Sequence, residues 1–177
     1  MIADAGTPTP YITRFLKLRG KGSRFLIPRA YGGLGYVIPA LVGAHLARPE
    51  AKIIGMFGDG SLGMSAGELE TLARLNIPAL MIHFNNGVFG WIKALQSLHS
   101  ESRYQSVDFT GGDMAKLATV FGIQAFHVTT PEEMDSVLDI AMDSQSPVFV
   151  DIVSESEVAD LPPVYSWEQA AKKLRAN

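Results

Sequence analysis

The sequence predicts a three-layer α/β/α domain built on a mainly parallel central sheet of about six strands. Three observations lead there. Short β-branched runs alternate with segments of helical spacing along the chain. Runs such as Ile53-Ile54-Gly55-Met56-Phe57 and Ala79-Leu80-Met81-Ile82 are continuously apolar, as strands are when helices cover both faces of a sheet. The turns between elements are short, which reads as right-handed βαβ units.

Each element has its own signal. The candidate strands are Arg24–Ile27, Lys52–Phe57, Ala79–Phe84, Gln124–Val128 and Val148–Val153. Helical spacing marks Tyr36–Ala47, Ser65–Leu75, Met114–Phe121 and Glu132–Met142. The last of these opens with Thr130 as N-cap and Pro131 in the first turn. Folds of this class usually open with a strand, yet only Met1–Ala3 precede the turn Asp4-Ala5-Gly6-Thr7-Pro8, so a fragment or a subunit with a shortened start is expected. From Ser154 the composition changes to acids, then Pro162-Pro163, then a helix from Ser166. Residues 1–153 are therefore expected to form the domain and residues 154–177 an appended arm.

Composition narrows the function. With 47% hydrophobic and 19% charged residues, the 177-residue chain reads as one globular domain. A net charge of −3 gives no basic surplus for nucleic acid or anionic membranes. The absence of cysteine excludes disulfide and thiolate chemistry, so any metal would take oxygen or imidazole ligands. No apolar run reaches the ~18 residues of a membrane span. Met1–Gly6 has neither a basic n-region nor an apolar h-region, which makes the cytoplasm the default expectation.

The chemistry concentrates at two strand ends. Gly58-Asp59-Gly60-Ser61 follows one buried run, and Asn85-Asn86 follows the next. Helix-plus-strand spacing puts Asp59 and Asn86 at the carboxyl edge of a parallel sheet, where such folds bind ligands. A carboxylate, an amide oxygen and backbone carbonyls form a hard-oxygen site of few ligands, which suits Mg²⁺ completed by phosphate and water. Gly58 and Gly60 let the backbone approach a phosphate. The spacing Gly58-x-Gly60-x-x-Gly63 also fits a dinucleotide motif. Against that reading, Asp59 would face a pyrophosphate unmediated, and Asn85-Asn86 stands where a ribose-binding acid is expected.

Gly58-Asp59-Gly60 with Asn85-Asn86 is similar to the signature of thiamine-diphosphate enzymes of the pyruvate decarboxylase and acetohydroxyacid synthase superfamily. Gly32-Gly33-Leu34-Gly35-Tyr36-Val37-Ile38-Pro39-Ala40 resembles a second family stretch, and Asn85-Asn86-Gly87-Val88-Phe89-Gly90 resembles the benzoylformate decarboxylase variant. The resemblance runs to about Val153 and implies the family's pyrophosphate-binding fold. It implies that Asp59, Asn86 and the Val88 carbonyl bind Mg²⁺. Gly58, Gly60, Ser61, Gly6, Thr7 and, with a proline-rich turn, Thr9 would serve the diphosphate. Gly32, Gly33, Phe89 and Gly90 would line the cofactor, with the Gly32 carbonyl taking its 4′-amino group. Leu34 would prop it into its bent form. Gly32 and Leu34 are thus the implied catalytic positions, and the cofactor itself is the electron sink.

The family's essential glutamate sits in a pyrimidine-binding domain outside this chain's pattern. An obligate partner is expected, either an α subunit or another part of the same polypeptide, together with a small 2-oxo acid substrate, an oligomeric state and an exposed apolar face. The expected activity is decarboxylation. An acetohydroxyacid synthase-like carboligase and a non-catalytic binding domain are the rivals.

Other residues are read structurally. His83 is expected to be a satisfied core histidine, Asn85 a turn residue, and Glu68 and Glu70 solvated charges. His45 and His99 read as helix-surface residues. His127 ends a strand without an evident partner. Trp91, Ile92 and Leu95 either line a substrate pocket or pack as core.

Overall fold

The computed structural model describes residues 1–175. Its elements run β1 (Ile2–Ala3), α1 (Pro8–Phe15), α2 (Val37–Ala47), β2 (Ile53–Gly58), α3 (Asp59–Ser65), α4 (Glu68–Arg74), β3 (Ala79–Asn85), α5 (Gly90–His99), α6 (Ala115–Val120), β4 (Gln124–Val128), α7 (Pro131–Asp143), β5 (Val148–Val153) and α8 (Tyr165–Arg175). The sheet has five strands among the described residues, in the order β1-β2-β3-β5-β4. All pairings are parallel. No helix among the described residues is long and apolar enough to cross a membrane.

Side-chain alternation sorts the sheet into two cores. Ile53, Phe57, Ala79, Met81 and Phe149 face one side, packed with Val37, Ile38 and Leu41 of α2, Leu69 and Leu72 of α4 and Ala118 of α6. Leu80, Ile82, Val148, Val150 and Ile152 face the other, against Met134, Val137, Leu138 and Ala141 of α7. This is the expected three-layer architecture. The start of α7 is held as expected, with Pro131 in its first turn and Glu133 accepting the Thr130 N–H.

Three expectations are corrected. Arg24–Ile27 is not a strand: Leu26 makes a single bridge to Ile2, bonding Met1 and Ala3. Its would-be partner β1 is only two residues long, and Pro28 has no N–H to continue a ladder. The sheet therefore has one strand fewer than expected. Ser65–Leu75 is not one helix. The chain turns helical already at Asp59, and α3 and α4 are separated at Ala66-Gly67. Finally, the proline-rich stretch after Thr7 is helix α1, not only a turn. Pro8 and Pro10 fall in its first turn, where the missing N–H groups have no intrahelical partners anyway.

Gly55 shows how closely the layers meet. A Cβ there would lie 2.6 Å from Val37 Cγ1 and 3.0 Å from Leu41 Cδ1. Gly55→Ala should therefore push α2 off β2 and lower stability by about 1–3 kcal/mol. A fall in the urea midpoint at unchanged slope would show this; an unchanged midpoint would mean that the helix yields freely.

Candidate functional site

The register of the sheet assembles the site. Gly58 pairs with Phe84 across β2 and β3, so the residues that follow each strand emerge side by side. Asp4 leaves β1, Asp59 leaves β2, Asn86 leaves β3 and Ser154 leaves β5, all at the carboxyl edge of one parallel sheet. A cavity of about 720 Å³ lies there.

The walls of this cavity contain most of the residues singled out in the sequence. Gly6, Thr7, Gly32, Leu34, Gly58, Asp59, Gly60, Ser61, Asn86, Val88, Phe89 and Gly90 all line it, although they come from four separate stretches of chain. Gly33 is not in the lining. Thr9 is buried, and its hydroxyl donates to the Asp4 carbonyl at 2.6 Å. Of the segment read as pocket or core, Trp91 and Ile92 reach the cavity, and Leu95 packs in the core between α5 and α8.

Leu34 and Phe89 both bear on Gly60. A Cβ on Gly60 would stand 2.3 Å from the Phe89 ring and 3.4 Å from Leu34 Cδ1, and one on Gly6 would stand 3.9 Å from Leu34 Cδ2. Leu34 therefore bridges the first and second motif turns. Its neighbour Gly32, at φ 67°, holds a backbone shape that side chains rarely adopt.

Asp59 and Asn86 are linked directly. Asp59 Oδ2 accepts the backbone N–H of Asn86 at 3.0 Å and of Gly87 at 3.1 Å. Asn86 Oδ1 accepts the Val88 N–H, and its Nδ2 donates to both oxygens of Glu157, at 3.0 and 3.1 Å. Glu157 belongs to the segment after β5, and its carboxylate fills the space where Gly90 lacks a Cβ, within 2.2 Å of that position. Asp4, also buried, lines the same cavity. Its Oδ1 accepts the Tyr36 N–H at the start of α2, while Oδ2 has no hydrogen-bond partner. Burial pushes the Asp4 carboxyl above its ordinary value, offset in part by the Ser61 hydroxyl and the Tyr36 amide.

The electrostatics of the walls point to a cation. Among the described residues the lining holds Asp4, Asp59, Glu155, Glu157 and Asp160 against one basic residue, Arg29. Walls of this sign would repel a bare diphosphate, and a divalent metal between them would offset that repulsion.

Residues 4–152 match the family described as thiamine pyrophosphate enzyme, C-terminal TPP binding domain. The chain belongs to this family. It is 35% identical over 157 residues to an acetolactate synthase large subunit of Pyropia yezoensis, which covers 87% of this chain and 26% of that protein. It is 32% identical over 151 residues to a benzoylformate decarboxylase of Pseudomonas aeruginosa, 84% of this chain and 28% of the other. A mitochondrial acetolactate synthase catalytic subunit of Saccharomyces cerevisiae is 31% identical over 140 residues, 79% and 20% of the respective chains. The chain thus spans about a quarter of the length of the curated relatives it matches.

This TPP-binding domain also carries a polar row across three strands, buried at His83 and Asp151 and reaching the surface at His127. His83, Asp151 and His127 are register partners on β3, β5 and β4. His83 Nδ1 lies 2.8 Å from Asp151 Oδ1 and His127 Nδ1 2.7 Å from Asp151 Oδ2. Asp151 Oδ2 also accepts the Met114 N–H and the Asn85 side chain; Asn85, read from the sequence as a turn residue, is instead the buried last residue of β3, with its amide also donating to the Gly112 carbonyl. His127, read from the sequence as unpartnered, is thus bound to Asp151, with Asp113 3.6 Å away. Asp113, His127 and Asp151 bring one ligand atom each within 4.8 Å of one another; Asp151 already accepts several donors, while the buried Asp113 Oδ1 has no hydrogen-bond partner among the described residues.

Sequence reasoning missed Asp4, Glu157, Asp151 and the link between His83 and Asp59. Asp4 carried a usable signal, a carboxylate directly after a strand and ahead of a glycine turn. Glu157 carried none, because its place depends on how the arm folds back.

Burial alone would raise the Asp151 carboxyl, but the hydrogen bonds from His83 and His127, the charge of His83 and the Met114 N–H hold it below its ordinary value. A lowered folded value means that its contribution is complete at neutral pH and is lost as pH falls through that value. Asp151→Asn should therefore lower stability by about 3 kcal/mol at pH 7, and by progressively less in acid. Urea melts at a series of pH values would read this, and a gap that stayed constant into acid would contradict it.

Proposed function

We propose that this domain is the diphosphate- and Mg²⁺-binding half of a thiamine-diphosphate-dependent 2-oxo acid decarboxylase or carboligase, acting with a pyrimidine-binding domain from the same polypeptide or from a separate α subunit. The observation that carries the reading is the pairing of Asp59 with Asn86 at adjacent strand ends, tied by the Asn86 N–H to Asp59 Oδ2. Asp59, Asn86 and the Val88 carbonyl are the proposed metal ligands. Asn86 would release its Oδ1 from the Val88 N–H to serve as one. Gly6, Thr7, Gly58, Gly60 and Ser61 would hold the diphosphate, and Gly32, Leu34, Phe89 and Gly90 the rings. The bound cofactor supplies an electron sink for cleavage or formation of the bond beside a carbonyl.

This chain's residues bind, orient and exclude water. Leu34 stands over the glycine turns, where it would press the cofactor into a bent shape. Residues 154–177 are proposed to act as an arm over the site, since Ser154, Glu155, Ser156, Glu157 and Asp160 already form one wall. An open apolar rim supports association in an oligomer: Tyr31 of the wall is fully exposed, and Phe15 and Met64, on elements that line the cavity, are 67% and 61% exposed.

Asp59→Ala should abolish Mg²⁺-dependent binding of thiamine diphosphate, measured by calorimetric titration with and without the metal. Unchanged affinity would refute the ligand assignment. Binding by the wild type with no CO₂ released from any 2-oxo acid, even with a pyrimidine-binding domain co-expressed, would leave a non-catalytic binding domain. The relatives named acetolactate synthase favour carboligation as the second reading. Product analysis with pyruvate separates the two, since a carboligase yields acetolactate and a decarboxylase yields acetaldehyde.

A further inference from the structure

His83 stands where an apolar residue would be expected. It shares the sheet face of Ala79 and Met81, is 0% exposed, and lies between Phe57 and Phe149, with ring centroids 5.6 and 5.8 Å away. A buried imidazole destabilises a core unless its nitrogens find partners. Nδ1 has one in Asp151, itself 0% exposed. Nε2 has none: it is a buried polar atom without a hydrogen bond, and it points at Asp59, whose Oδ1 is 3.6 Å away. The ring cannot turn aside, because Asp151 fixes one edge and two aromatic side chains fix its faces.

The two oxygens of Asp59 are consequently in different situations. Oδ2 is anchored to the Asn86 and Gly87 amides. Oδ1 accepts no hydrogen bond among the described residues; it lies 3.6 Å from His83 Nε2, on a side chain that lines the cavity. A carboxylate oxygen has more than one acceptor direction, so Oδ1 can face Nε2 and still offer a lone pair to a cation. Partners behind a ligating group commonly set its orientation and its affinity for metal.

We propose that His83 is a positioning residue for the metal site: pinned by Asp151, it fixes the direction in which Asp59 presents Oδ1 to the cation. This rests on the reading of Asp59 as a metal ligand. It adds a relay, Asp151 to His83 to Asp59, that runs from the sheet interior to the cavity.

Two substitutions divide the ring's two functions. In His83→Asn the amide nitrogen can replace Nδ1 and keep the bond to Asp151, but nothing faces Asp59. In His83→Gln the longer side chain returns an amide to the Nε2 position. The full chain is titrated with Mn²⁺ in the presence of thiamine diphosphate, with bound ion followed by electron paramagnetic resonance, and each variant is melted without metal. The Asn variant should bind Mn²⁺ about 10–100-fold more weakly, and the Gln variant should recover much of that loss even where both variants melt below the wild type. Wild-type affinity in the Asn variant, or affinity that merely follows melting temperature across both variants, overturns the proposal while leaving Asp59 in place. A wild type that takes up no Mn²⁺ with the cofactor refutes the Asp59 assignment and this proposal together. Should neither variant fold, nitrogen-15 resonances of the wild type decide: His83 Nε2 should shift on adding Mg²⁺ and thiamine diphosphate while exposed His99 does not, and an unmoved His83 signal overturns the proposal.

Discussion

The bond from the Asn86 amide to the Asp59 carboxylate ties two strand ends together, and the rest of the site is arranged around it. It exists because β2 and β3 run parallel in a register that ends Gly58 opposite Phe84. A shift of one residue would turn Asp59 toward the opposite face and leave the cavity without its central acid. Close packing guards that register. Gly55 lets α2 lie against β2, and the apolar faces of β3 and β5 are buried on both sides. Stability and function therefore share one constraint in this domain.

Charge is distributed in a way that hydrophobic packing alone does not explain. A core built only for stability would place apolar side chains at His83 and Asp151, since a buried polar pair rarely outperforms hydrophobic residues of similar volume. Here the pair lies directly behind the one carboxylate that enters the cavity from β2. In front of it, Asp4, Asp59 and Glu157 line one cavity, with Arg29 the basic residue among the described lining. The Gly90 Cβ position, taken by the Glu157 carboxylate, and the unpartnered Nε2 of His83 belong to the same arrangement.

Most of the architecture was legible in the sequence because it follows from periodicity. Continuous apolar runs gave β2, β3 and β5 within a residue or two, and β4 matched Gln124–Val128 to the residue. What failed did so for local reasons. Arg24–Ile27 has strand composition but only the two residues of β1 to pair with. The prolines at 8 and 10 read as turn signals, although a first helical turn tolerates them. The motif glycines and Asp59 were legible as a group because they punctuate strand ends. Asp151 was hidden inside an apolar run, and its meaning appeared only when β5 was inserted between β3 and β4. Glu157 was legible as charge and not as place, since no local rule states where a segment after the last strand will fold back.

The packing of α8 has a practical consequence. The chain has two tryptophans. Trp91 of α5 and Trp167 of α8 touch each other, with ring centroids 4.5 Å apart and planes tilted by 58°. All indole emission from this sequence thus arises at one seam, between the cavity rim and the final helix. Its intrinsic fluorescence is a gauge of that seam alone, sensitive to the tail lifting away and largely silent about the central strands.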